Sequence, residues 1–248
     1  MEGPYSGFSE IYDHHMRFVP YDRWVQYIQE IVALCGLTIT SVADLGCGTG
    51  NTALPWARMG LRTIGIDASS AMLERAARKA AEEGVPLELI QRDIRDFTLD
   101  TRVDLITCLY DTVNYLTERG SVEDMFRAVR RNLAPQGLFI FDLNSRHKLS
   151  TVTKDIFYFE EDHYHLIWQQ QYREDEEIWS VRLTGFIRDE DGRFRLFREE
   201  HKERAYSRSE IKESLGRAGL RPVACFKAYT FNSASSTDDR FYFVAEGE

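Results

Sequence analysis

The chain has 248 residues, 43% hydrophobic and 29% charged, enough for a globular core without a disulfide or metal staple. Its formal net charge of −9 argues against a broad grip on nucleic-acid backbone, which needs clustered Lys and Arg. Cys35, Cys47, Cys108 and Cys225 form no Cys-x-x-Cys pair, residues 1–18 lack a signal-peptide layout, and no apolar run suffices to span a bilayer; a cytoplasmic protein without a metal site is expected.

Tyr21, Trp24, Val25, Ile28, Ile31 and Val32 recur at helical spacing over 21–35, and Gly36 is a C-terminal stop. A strand over 41–45 runs into Asp44-Leu45-Gly46-Cys47-Gly48-Thr49-Gly50, and a helix over 51–59 follows. The next unit is a strand over 62–66 ended by Asp67, then a helix over 70–83 broken by Gly84-Val85-Pro86. Residues 87–91 make a short third strand, and the nearly all-apolar 103–109 a fourth, buried on both faces. Ser121 with Asp124 has capping-box spacing for a helix over 122–132. Pro135-Gln136-Gly137 is a turn into a fifth strand, 138–142.

After Asn144 the pattern changes to period two: Trp179, Val181 and Leu183 face one way, Arg182 and Thr184 the other. With the Asp191-Gly192 hairpin signal, residues 155–205 read as three or four antiparallel strands. Ser207 with Glu210 opens a helix to about Arg217, and two strands near 221–228 and 240–246 close the chain. The expected architecture is α/β: a doubly wound, mostly parallel seven-stranded sheet over 1–145 and 206–248, with an inserted antiparallel β subdomain over 146–205 on the substrate side. Residues 155–177 hold eight acids and one base, and 188–204 six of each; the acidic lip suits a cationic substrate or partner, but reads first as a solvated face.

In a doubly wound sheet, ligands bind beyond the C-terminal strand ends. Acids recur there: Asp44, Asp67, Asp93, Asp111 and Asp142. Gly46, Gly48 and Gly50 are two residues apart between a strand and a helix, which lets a ligand approach the backbone closely. The spacing differs from the G-x-G-x-x-G of dinucleotide folds. Asp67, at the end of the second strand, is placed to accept both hydroxyls of a ribose, which NAD and S-adenosylmethionine (SAM) share.

This pattern resembles motif I of the class I SAM-dependent methyltransferases, and the likeness runs from Tyr12-Asp13 to the final strands. The chain is similar to a bacterial small-molecule group whose substrates are largely unassigned, and its layout resembles glycine and amino-sugar N-methyltransferases. The resemblance implies a Rossmann-like methyltransferase fold, SAM as cofactor and S-adenosylhomocysteine as product. It places Asp44, Gly46, Cys47, Gly48 and Gly50 at the donor and Asp67 at its ribose. Ala68 and Met72 would line the adenine, Asp93 would accept from the adenine amino group, and Ile94 would pack on the ring. Leu109 and the loop from Tyr110 to Tyr115 would face the reactive methyl, and Tyr12, with Tyr5, would belong to a mobile N-terminal segment closing over SAM.

The reaction expected is methyl transfer to a small-molecule acceptor, an amine or acid being slightly preferred, by a monomer or homodimer with no nucleic-acid or membrane partner. The protein then supplies positioning and exclusion of water. An amine must also lose a proton, for which Asp111, Tyr115 and His147 are the candidates. Phe157, Tyr158, Trp168 and Trp179 read as core first and as a substrate lining second. Asn-Pro-Pro-Tyr and Pro-Cys segments are absent, which sets aside base-amino, glutamine and carbon-5 cytosine enzymes. Two rivals remain: a non-catalytic SAM-binding regulator, and a NAD-dependent short-chain oxidoreductase. The second is disfavoured because no tyrosine is followed by Lys four residues on.

Overall fold

The computed structural model describes residues 4–152 and 154–247. The five residues of β1 (Ser41–Leu45) are all buried, so this strand needs cover on both faces. It lies between β4 and β2 inside a seven-stranded sheet in the order β10-β11-β5-β4-β1-β2-β3. The neighbours are β2 (Arg62–Asp67), β3 (Glu88–Gln91), β4 (Val103–Cys108), β5 (Leu133–Asn144), β10 (Leu220–Lys227) and β11 (Arg240–Gly247). β1 to β5 run parallel, and β11 is antiparallel to both β5 and β10. Alternation divides the core in two. Val42, Leu105 and Ile140 meet Val25, Ile28 and Ile31 of α2 (Tyr21–Leu34) and Trp56 of α3 (Ala53–Arg58). Ala43, Ile106 and Phe141 meet Met125 and Val129 of α5 (Ser121–Asn132) and Leu215 of α7 (Arg208–Arg217).

Local signals set several boundaries. Ser69 caps α4 (Ser70–Glu83) by accepting from the Met72 N–H, and Gly84 ends it in the left-handed conformation. Ser207 and Glu210 form the expected capping box of α7. The one expected at Ser121 does not form: the N-cap is Gly120, and Ser121 is buried inside the first turn. Pro135-Gln136-Gly137 does not interrupt the fifth strand, which runs for 12 residues. Gln136 takes φ +63°, and the pairing with β4 shifts register between Val103 and Leu105, so the tripeptide is absorbed as a bulge.

The second sheet is an antiparallel meander of β6 (Asp155–Glu161), β7 (Tyr164–Arg173), β8 (Ile178–Arg188) and β9 (Phe194–Arg204). It is reached through a short helix the sequence reading did not anticipate, α6 (Arg146–Ser150), capped by Ser145. One face of the meander buries Tyr164, Leu166, Trp179, Val181 and Phe197 against Phe8, Ile11 and Tyr12 from α1 (Ser9–His15) and the residue before it. Asp13 ties α1 to the glycine loop, accepting from Thr49 Oγ1 at 2.6 Å and pairing with Lys79 at 3.0 Å. Among the described residues no helix is long and apolar enough to cross a membrane.

Candidate active site

The chain leaves β1 through Gly46 at φ +66° and Gly48 at φ +53°, a region L side chains rarely occupy. A Cβ on Gly46 would run into the Thr112 side chain, with Oγ1 2.7 Å away, and one on Gly48 would lie 3.1 Å from Met72 Cε. The bare backbone forms one wall of a cavity of about 1050 Å³ beyond the ends of β1 to β4. Its other walls include Asp67, Ala68 and Met72 after β2, Asp93 and Ile94 after β3, Leu109 after β4, and Tyr12. Asp67 accepts from the Gly48 N–H through Oδ2 and the Ser69 N–H through Oδ1, both at 2.8 Å. Each oxygen keeps a lone pair for a ligand. Burial pushes the Asp67 carboxyl pKa up against these bonds. The Arg95 guanidinium, 2.6 Å from Asp93, holds that carboxyl below its ordinary range.

Three residues expected at the donor do not line this cavity. Asp44 is buried, accepting from Thr52 Oγ1 at 2.6 Å and Thr107 Oγ1 at 2.7 Å; it braces the loop from beneath. The Cys47 thiol packs with Ala53 and Leu73. Gly50 faces α4, where a Cβ would meet Ala76 at 3.2 Å.

A second cavity, of about 260 Å³, lies between the first and the meander. Tyr5, Tyr12, Tyr110 and Tyr115 line both, so the two spaces meet at a wall of four tyrosines. Trp168, Trp179, Val181 and Leu183 line its apolar part. Trp179 is buried and its indole N–H has no partner. Its polar end holds Asp111, Asn144, Lys148, Glu203 and Arg240. Arg240 donates to Asp111 at 2.7 Å and Asn144 at 2.9 Å, and also pairs with Asp142. Asn144 donates to Glu203 at 2.9 Å and accepts from Lys148 at 2.9 Å. Burial and the neighbouring Asp111 push the Glu203 carboxyl well above its usual range.

Of the three candidate bases, Tyr115 lines both cavities and Asp111 the smaller one. His147 lines neither; it is exposed on α6. Nearness to the end of β5 in sequence did not aim it at the site, because α6 turns its neighbour Lys148 inward instead. Asn114 also lines neither cavity. Its buried amide donates to the Asn144 and Arg204 carbonyls and accepts from the Asn144 N–H, knitting the 3-10 turn Thr112–Tyr115 to β5 and β9. Among the described residues no group of three or more His, Cys, Asp or Glu is arranged to hold a metal ion.

A family model described as a methyltransferase domain matches residues 42–137. A Geobacillus sp. (strain WCH70) protein, provisionally named a methyltransferase, is 30% identical over 244 residues, 98% of this chain and 99% of that one. The crystal structure of a SAM-dependent methyltransferase from Clostridium acetobutylicum superposes with a TM-score of 0.86 at 30% identity, covering 98% of each chain. The chain belongs to the SAM-dependent methyltransferases. An N,N-dimethyltransferase of Saccharopolyspora spinosa, named for dTDP-4-amino-2,3,4,6-tetradeoxy-D-glucose, is 32% identical over 122 residues, 48% of this chain and 47% of its own.

The larger cavity of this methyltransferase fits SAM on its own geometry: a glycine cradle that a Cβ would fill, and a carboxylate with acceptor capacity left over. Bound SAM supplies a methyl group on a positively charged sulfur. The methyltransferase also carries site residues that the sequence reading missed. Phe197, Glu199, His201 and Glu203 are buried on one face of β9, while Arg198 and Lys202 are exposed on the other. This charge-balanced stretch therefore has a buried side, and its histidine is at the small cavity. Period-two alternation was the available signal, but Glu and His in the alternating positions gave no apolar contrast to mark it.

Proposed function

We propose that this methyltransferase transfers the SAM methyl group to the nitrogen of a small-molecule amine held in the 260 Å³ cavity. The observation that carries the reading is Glu203 beside Asp111 in an aromatic-lined space. Arg240 already pairs with Asp111, whereas Glu203 is bonded to the neutral Asn144 amide. The buried Glu203 carboxyl is disfavoured as an anion until a second positive charge joins it, and an ammonium group supplies one. Aromatic faces of Tyr and Trp favour the same charge. Lys148, with ammonium protons beyond the one given to Asn144, and the unpartnered Trp179 N–H suit oxygen substituents on the same acceptor.

At 260 Å³ the cavity is at the small end for ligand sites, in keeping with a compact acceptor or the reacting end of a larger one. The partial likeness to an amino-sugar N,N-dimethyltransferase supports nitrogen as the methylated atom. β7 to β9 supply Trp168, Trp179, Val181, Leu183, His201 and Glu203 to this cavity, which supports reading 146–205 as the acceptor-side subdomain. The net charge of −9 and four free cysteines favour a small molecule over nucleic acid, and a reducing compartment such as the cytoplasm.

The test is to incubate the purified protein with SAM and matched panels of small amines, alcohols and carboxylic acids, following S-adenosylhomocysteine. Turnover with amines, weakened in Glu203→Gln, is expected. Turnover confined to acids or alcohols would sink the reading.

A further inference from the structure

Four side chains form a continuous hydrogen-bonded line out of the small cavity. Tyr5 Oη lies 2.7 Å from Tyr115 Oη, Tyr115 Oη 3.2 Å from His201 Nδ1, and His201 Nε2 3.1 Å from Glu199 Oε2. Tyr5, Tyr115 and His201 line the cavity, and Glu199 lies fully buried behind them. The same Glu199 carboxylate accepts the backbone N–H of Tyr5 at 2.8 Å, Gly7 at 2.5 Å and Phe8 at 2.9 Å.

We infer that Tyr5, Tyr115, His201 and Glu199 are a proton relay that removes one proton from the acceptor ammonium, and that it is complete only while residues 5–8 are seated on Glu199. The inference rests on the amine reading above.

The direction of the line follows from its buried end. Burial pushes the Glu199 carboxyl up, but His201 and the three backbone N–H groups outweigh it and hold the pKa below its ordinary value. An ionised carboxylate only accepts, so Nε2 carries a proton towards Glu199, and in the neutral imidazole that leaves Nδ1 bare. Nδ1 then accepts from Tyr115, whose oxygen accepts from Tyr5. Burial pushes both phenols well above their usual range, so they pass a proton on and do not store a negative charge.

In the step itself, an N–H bond of the ammonium breaks and its electron pair stays on nitrogen. That proton bonds to Tyr5 Oη, the Tyr5 proton moves to Tyr115 Oη, and the Tyr115 proton moves to His201 Nδ1. The products are a neutral amine, two neutral phenols and an imidazolium against the Glu199 carboxylate. The titratable groups facing His201 are Tyr115 from the 3-10 turn, Tyr5 from the N-terminal segment, and Glu199 and Glu203 from its own strand; across the sheet its partner on β8 is Val181. Asp111 and Glu203 are also within electrostatic reach of both tyrosines. Asp111 is engaged by Arg240, which leaves Glu203 as the rival base.

Two acceptor probes separate a relay from a structural role: n-butylamine, an ammonium at neutral pH, and aniline, which is neutral there and has no such proton to lose first. His201→Asn should lower the ratio of butylamine to aniline methylation rates by about 10²-fold, and Tyr115→Phe, which removes one oxygen, should shift it the same way. Equal loss on both acceptors, or a ratio that moves in Glu203→Gln alone, would overturn the relay. Nitrogen-15 NMR of the wild-type protein with bound S-adenosylhomocysteine reads the tautomer without any acceptor, using His201→Asn to assign the signal. A proton on Nε2 and a bare Nδ1 are expected at pH 7; the opposite tautomer overturns the relay. If neither amine is methylated, the amine reading fails, and the tautomer alone decides whether the line runs towards His201.

Discussion

The Asp67 carboxylate accepts the backbone N–H of Gly48 at 2.8 Å, so the acid on one wall of the larger cavity is held by the glycine loop on another. The acid is oriented before any ligand arrives, and preorganised acceptors bind at lower ordering cost. Asp67→Ala should weaken SAM binding by about 1–3 kcal/mol, the scale of hydrogen bonds to a charged group. Isothermal calorimetry on folded protein measures it directly. Unchanged affinity would mean that the ribose does not lie on this wall.

Gly46→Ala meets two obstacles. The position has φ +66°, and the new methyl would strike Thr112. The left-handed conformation alone costs about 1–2 kcal/mol for a residue with a Cβ, and the clash adds to it. Thermal unfolding should show a lower Tm, and SAM titration a weaker affinity. Thr112→Ser in the same chain, which removes the Cγ2 methyl, should recover part of both. A Gly46→Ala protein with wild-type Tm and affinity would contradict the close approach.

Much of the larger cavity's lining was legible in the chain because its signals are local. Glycine spacing, an acid at a strand end and a Ser cap each act within a few residues, and Gly46, Gly48, Asp67, Ala68, Met72, Asp93, Ile94 and Leu109 do line one cavity. Asp44 misled because its partners Thr52 and Thr107 come from different elements. His147 misled for the converse reason: closeness along the chain stood in for direction in space. His201 is brought to Tyr115 and Tyr5 only by the fold, and the balanced charges around it resemble a surface strand. Pro135-Gln136-Gly137 carries ordinary turn chemistry, but Leu133 before it and Leu138 after it both pair with β4, so the tripeptide bulges and the strand goes on.

Arg240 is a buried cation between two acids. It donates to Asp111 at 2.7 Å and pairs with the fully buried Asp142. Removing one partner of a buried pair leaves an uncompensated charge, typically at about 3–5 kcal/mol. Arg240→Met should lose stability on that scale in urea denaturation, and adding Asp142→Asn should return part of it. A loss under about 1 kcal/mol, the range of exposed pairs, would mean that water reaches the pair.

Asp44 makes stability depend on pH in a direction opposite to most carboxylates. Burial, only partly offset by the Thr52 and Thr107 hydroxyls, pushes its pKa up to about 6. An acid whose folded pKa is raised stabilises the fold fully below its unfolded pKa, and that contribution is lost as pH rises through the folded value. Asp44→Asn removes the titration while its amide still reaches both hydroxyls. Between about pH 4 and pH 7 the wild-type protein should therefore lose on the order of 2–3 kcal/mol relative to the variant. Parallel stability curves for the two proteins would show that Asp44 keeps an ordinary carboxylate pKa.

The stripe on β9 bears on more than chemistry. A strand has two faces, and a slip of one residue exchanges them. In β9 that slip would turn Arg198, Glu200 and Lys202 inward, taking His201 and Glu203 away from the small cavity and Glu199 off the N–H groups of Tyr5, Gly7 and Phe8. Only the observed register puts Glu199 on the N-terminal segment and, at the same time, His201 and Glu203 at the small cavity. The ionisable residues that furnish the small cavity thus also specify which way the strand faces, and a variant that neutralises several of them at once would have to find its pairing from Phe197 and its apolar neighbours alone.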